Sequence, residues 1–217
     1  RGVKKEIAIT EVLRNYYIAS KKILFEGNGY SDEWVAEAEK RGLSNIKSTV
    51  EALKVYTRPE VMNMFEEHGI FNKEELHARY EIELESYIKK IQIESRVMGD
   101  LSINHVVSTA LSYQTKLVEN VTGQKEIGID PKFFTPTIQM IKSISKYTSD
   151  IVTLQEEMTE ARKEANNKED TEERAKIYSE KVKTYFEKIR YAVDKLELIV
   201  DDNDWPLVKY REMLLIK

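Results

Sequence analysis

Cysteine is absent from this chain of 217 residues, and it contains only four prolines and eight glycines. Without thiols it can build neither a disulfide framework nor thiolate zinc sites. So few turn-forming residues argue against a β-sandwich or barrel, and equally against Gly/Pro-rich disorder. Neither sign of charge dominates: 34 basic residues stand against 38 acidic ones, a net charge of -4. That balance lacks the basic excess that marks nucleic-acid binding. No apolar run approaches the roughly 18 residues of a membrane span, and no signal-peptide pattern opens the chain. These absences point to a cytoplasmic protein with no nucleic-acid and no membrane partner. The first residue is arginine, not methionine, and we read it as a cut inside a longer protein.

What remains is helical periodicity. From Lys4 to Phe25, Ile7, Val12, Leu13, Tyr16, Tyr17, Ile23 and Leu24 form one broad apolar side. Gly27-Asn28-Gly29 breaks that helix. Ser31 then offers an N-cap with Asp32 and Glu33 behind it, and Gly42 a stop. Short helices are expected at about 49–56 and 59–68. From Asn72, itself a plausible cap, to about Val121 there is no proline and only Gly99. An uninterrupted helix there would span roughly 75 Å. Tyr80, Leu84, Tyr87, Ile91, Met98 and Leu101 form its seam, and the apolar residues between Val97 and Leu111 surround it, as in a buried central helix.

Thr135 and Pro136 read as the N-cap and first residue of the next helix. Met140, Ile144, Tyr147, Ile151, Leu154, Met158, Ala161 and Ala165 then alternate by four and three. After the polar stretch 166–170 the alternation resumes through Ala175, Tyr178, Val182, Tyr185, Ile189, Ala192, Leu196 and Ile199. Two such arms predict an antiparallel coiled-coil hairpin. Asp204 would cap a last helix from Trp205 to about Ile216. The fold class is therefore all-α, a multi-helix bundle with a long antiparallel coiled-coil hairpin. Its parts are a first helix (1–26), a bundle with one long helix at about 72–121 (27–134), and the hairpin with a C-terminal helix (135–217).

Little in this pattern carries chemistry. Gly27-Asn28-Gly29 lacks the Lys-Ser/Thr of a phosphate loop and reads as a turn using glycine for positive φ. Glu74 and His77 make half of a di-metal bundle motif whose other half is missing. His105 is expected in a satisfied polar network, with Arg96 and Asp100 spaced to pair. His68 suits a helix C-terminus. Asn120-Val121-Thr122 is a sequon without a secretory context. The run from Asp201 to Asp204 lacks the glycine and distal glutamate of a calcium loop. No catalytic, cofactor-binding or metal-binding residue is assigned.

Four segments are more specific than periodicity requires: Lys22-Ile-Leu-Phe-Glu-Gly-Asn-Gly-Tyr-Ser-Asp-Glu-Trp34, Ala36-Glu-Ala-Glu-Lys-Arg-Gly-Leu43, Arg79-Tyr-Glu-Ile-Glu-Leu-Glu85 and Tyr87-Ile-Lys-Lys-Ile-Gln-Ile-Glu-Ser-Arg-Val-Met98. Together the chain resembles the C-terminal helical region of type III glutamine synthetases, the large Bacteroides-like form. The resemblance implies a parent enzyme that uses ATP and magnesium to ligate ammonia to glutamate, assembled as a double-ring dodecamer. It also implies that the catalytic motifs lie upstream, since none is matched here, and that the partners are the upstream catalytic domain and neighbouring subunits. Domain packing and oligomer assembly would then be the work of this region. An independent helical scaffold or protein-interaction module is the alternative, and the upstream reading frame discriminates the two.

Overall fold

The computed structural model describes residues 4–214. Among them all regular structure is helical. The chain divides into two compact units, the second beginning at Thr49.

The first unit holds α1 (Lys5–Ser20), a 3-10 turn (Lys21–Ile23) and α2 (Asp32–Lys40). The expected break and caps are present. Ser31 Oγ accepts from the Trp34 amide at 3.3 Å, and Gly42 ends α2 at φ 71°. There the amides of Gly42 and Leu43 return to the carbonyls of Glu39 and Ala38. No residue of α1 is buried. Leu13 is 63% exposed and Tyr16 70% exposed.

The second unit begins with α3 (Thr49–Leu53), which tightens into a 3-10 turn (Lys54–Thr57), and α4 (Pro59–Glu67). Its scaffold is α5 (Lys73–Asp100), a π-helical stretch (Leu101–Val107) and α6 (Ser108–Glu126). Asn72 starts α5 with a full capping box: its side chain accepts from the Glu75 amide, and Glu75 accepts from the Asn72 amide. The helix runs on through the π stretch with its register altered, so that the adjacent Val106 and Val107 are both buried.

Apolar residues surrounding the 97–111 stretch do not bury it on every side. Ser102, Val106, Val107 and Ala110 face a core, whereas Val97 (50%) and Leu111 (46%) are exposed. Helices of this unit cover one side only.

The third long element is α7 (Thr135–Asn166), followed after a reversal by α8 (Thr171–Ile177), a second π stretch (Tyr178–Val182) and α9 (Thr184–Glu197). Thr135 is the first helical residue, not the cap; its hydroxyl donates to the Pro131 carbonyl at 2.9 Å. Asp170 caps α8 through the Glu173 amide. Every position of the two alternating sets, Met140 to Ala165 and Ala175 to Ile199, is buried or half-buried. They feed two cores. One joins Tyr80, Leu84, Ile88 and Ile91 of α5 to Met158, Ala161, Ala165, Tyr178 and Ile189. The other joins Val106, Val107 and Ala110 to Ile144, Ile151, Ala192, Leu196 and Trp205. Gly99 marks a close approach of α5 to α7: a Cβ there would lie 2.2 Å from Gln155 Nε2.

The expected helix from Trp205 does not form there. Trp205 is drawn into the second core, and Asp204 pairs with Lys116 at 2.7 Å instead of capping. The last described helix is the short α10 (Tyr210–Leu214), and the expected end near Ile216 lies outside the described residues.

Leu84 is fully buried in the first core. Leu84→Ala should lower the unfolding free energy by about 2–5 kcal/mol, measured from urea midpoints.

Candidate functional site

The sequence's chemical candidates fall into separate places. Glu74 and His77 are both exposed on α5, and His77 meets the Tyr80 ring edge-on at 6.3 Å. Among the described residues no three His, Cys, Asp or Glu side chains come together as metal donors. His105 lies exposed in the π stretch, not inside a polar network. Arg96 does not pair with Asp100; Asp100 instead accepts from Asn104 Nδ2 at 2.5 Å. His68 is the C-terminal cap residue of α4, as expected. The sequon Asn120-Val121-Thr122 is inside α6 with Val121 buried. Asp201 accepts from the Asn203 amide, a turn rather than a cation loop.

Gly27-Asn28-Gly29 gains a different reason for its glycines. Positive φ occurs at Gly42, Gly69 and Gly128 among the described residues, and not in this loop. Asn28 Oδ1 accepts from the Tyr30 amide, and its carbonyl accepts from Ser31. The constraint at Gly27 is space: a Cβ would fall 2.6 Å from Phe25 Cζ. That ring cannot easily yield, because it stacks on Trp34 with centroids 4.4 Å apart. Arg41 closes the arrangement. Its Nε meets Glu37 Oε1 at 2.7 Å, its Nη1 donates to the Leu24 carbonyl at 2.5 Å, and its guanidinium lies 5.6 Å from the Trp34 ring centroid. The string Phe25 to Trp34, with Arg41, therefore builds a tightly packed connection between α1 and α2.

A second cluster had no sequence signal. Tyr80 Oη donates to Glu172 Oε2 at 2.6 Å, 92 positions away. Lys54 Nζ reaches Glu172 Oε1 at 3.0 Å and Glu51 Oε1 at 2.9 Å. The cluster ties α3, the 3-10 turn after it and α5 to α8. The hydrogen bond from Tyr80, and then Lys54, hold the Glu172 carboxyl below its ordinary range. Burial, and then Glu172, push the Tyr80 phenol up. This is structural electrostatics that ties helices together.

Among the described residues the protein is an all-helical scaffold whose most specific sequence string builds a packed turn. A family model described as the glutamine synthetase C-terminal domain matches residues 8–125, and the chain belongs to that family. It is 48% identical over its whole length to a glutamine synthetase of Bacteroides fragilis, covering 30% of that protein. It is 34% identical to a glutamine synthetase of Butyrivibrio fibrisolvens over 78% of this chain and 24% of that one. A type-3 glutamine synthetase of Dictyostelium discoideum is 26% identical over 98% of this chain and 29% of that one. The chain thus spans less than a third of the length of these relatives.

Because Glu172 is lowered in the fold, its carboxylate stabilises the protein above the ordinary carboxylate range. That contribution is lost as pH falls through and below that range. Between pH 7 and pH 3 the urea midpoint of the native chain should fall further than that of Glu172→Gln. Tyr80→Phe should cost about 1–2 kcal/mol at neutral pH in the same measurement.

Proposed function

We propose that this chain is the non-catalytic C-terminal part of a glutamine synthetase, and that it serves domain packing and oligomer assembly. The parent enzyme would ligate ammonia to glutamate with ATP and magnesium in the cytoplasm, and the resemblance favours a dodecamer. The family match over residues 8–125 carries the reading. Among the described residues no trio of metal-donor side chains assembles, and a Cβ at Gly27 would meet the Phe25 ring. Phosphoryl transfer needs metal ions and cationic clamps converging on one phosphate, and in this reading those parts would lie in the rest of the parent.

Helix α1 would be the junction with the catalytic domain. A helix of 16 residues with no buried residue, yet carrying Ile7, Ile9, Val12, Leu13, Tyr16, Tyr17 and Ile18, has apolar surface to cover. A large preceding domain supplies an occupant of the right size. The expected coiled-coil pairing of the arms within 135–199 would make the rest a stiff body for contacts between subunits.

The 217-residue chain should show no γ-glutamyl transferase activity above a buffer control, while the parent extended upstream shows it. Activity in the short chain would overturn the reading. Leu13→Glu should leave the short chain's stability within about 0.5 kcal/mol, yet lower the thermal midpoint or the assembled fraction of the parent, read by calorimetry and sedimentation.

A further inference from the structure

Helices α7 and α9 pack against each other, and the pair already seats one helix: Tyr80, Leu84 and Ile88 of α5 share a core with Met158, Tyr178 and Ile189. On its other side the pair carries an open groove. Two openings of about 560 and 620 Å³ follow one another along it, the first between 150–154 and 187–192, the second between 156–164 and 180–185. Asp150, Thr153, Glu157, Glu160 and Glu164 form one wall, in alternating steps of three and four. Glu180, Thr184, Glu187 and Tyr191 form the other wall with the same alternation. Between the walls lie the buried Ala161 and Ala192. From Asp150 to Glu164 the groove runs roughly 21 Å along α7.

Seven carboxylates line the two openings against two lysines, Lys181 and Lys188. That excess is larger than the net charge of -4 on the whole chain. Glu164 is met by Lys181 at 2.6 Å, Glu160 by Lys163 at 2.7 Å and Glu180 by Lys176 at 4.0 Å. Asp150, Glu156, Glu157 and Glu187 form no ion pair among the described residues. Lys188 stands instead over the Tyr185 ring, its Nζ 5.2 Å from the centroid, and Lys195 stands over Tyr191 at the same distance. Two rings on the groove therefore already hold ammonium groups, while four carboxylates beside them lack a cation.

We propose that this groove is the docking site of a basic amphipathic helix from a separate polypeptide. Its shape selects a helix. Walls that repeat every three and four residues are what a third helix meets when it packs between two others, and alanines between them let its side chains enter. Charge selects its chemistry: lysines and arginines flanking a narrow apolar stripe complement the unpaired carboxylates. Charge also excludes a second copy of this chain as the occupant. No helix among the described residues has more Lys and Arg than Asp and Glu: α1, α6, α8, α9 and α10 balance, and α2, α3, α4, α5 and α7 are acidic. The proposal rests on these side chains and is independent of the glutamine synthetase reading.

The probe is a fluorescein-labelled synthetic peptide of about 15 residues, with lysines flanking a stripe of leucine and alanine at helical spacing. Fluorescence anisotropy reads its binding to the full chain at about 0.15 M salt. The expected result is saturable binding, weakened at least about tenfold in the double variant Glu157→Gln, Glu187→Gln. Both positions are exposed, so the fold tolerates the change. Thr153→Lys, at another exposed position of the wall, should weaken binding likewise. The double variant Glu67→Gln, Glu119→Gln removes the same charge from exposed positions of α4 and α6 and should bind as the native chain does. A peptide of the same composition in scrambled order, without an apolar stripe, should bind at least about tenfold more weakly. Absence of saturable binding, equal binding of the scrambled peptide, or binding unchanged in both wall variants overturns the proposal. The parent extended upstream should bind the peptide as tightly as the short chain. Loss of binding there also overturns it, because the occupant is then the rest of the parent.

Discussion

Residues 49–214 depend on one apolar stripe along α7. Ile144 and Ile151 sit in one core, and Met158, Ala161 and Ala165 in the other. Both cores therefore fail if α7 loses its register. Ile144, Ile151 and Met158 are fully buried, each contributing roughly 1.5–3 kcal/mol. The stripe narrows to alanine near the reversal, where Ala165 and Ala175 are both fully buried in the first core. Gly99 lets α5 approach the same helix at the Gln155 amide. The long α5–α6 helix and the returning α8–α9 arm are organised around that line.

Two surfaces are not organised by it. The α1 helix has no buried residue, and the outer side of the long helix exposes Ile93, Val97, Leu101, Leu111 and Val118. Scattered apolar side chains on a surface need no explanation, but a whole helix of them does. A region spanning under a third of its relatives' length has reason to carry surfaces meant for the remainder. The exposed faces and the family membership both support the proposal that this region packs against something larger.

The fold class and the helix starts at Ser31 and Asn72 were legible because they are local. Ser31, Asn72 and the four-and-three alternation of both arms act through neighbours within one or two turns. What the sequence hid is non-local. Periodicity reports that Val97 and Leu111 are apolar, but not whether this chain supplies their partner. Alternation cannot show that a π turn at 101–107 shifts the register. Tyr80 and Glu172 are joined only by the reversal of α7 into α8. Trp205 overrode a good local helix start because burying a large ring in the second core outweighs the first turn of a short helix. At the Phe25–Trp34 string the residue types were conspicuous, yet Arg41 was silent until its guanidinium was seen holding the turn.

The central claim is that α1 is built to be covered by the preceding part of a longer protein. Amide hydrogen exchange resolved along the chain tests it most directly, comparing the 217-residue chain with the parent. The account predicts fast exchange over residues 5–20 in the short chain, strong protection of the same residues in the parent, and α7 protected in both. Equal exchange of α1 in the two proteins would contradict it.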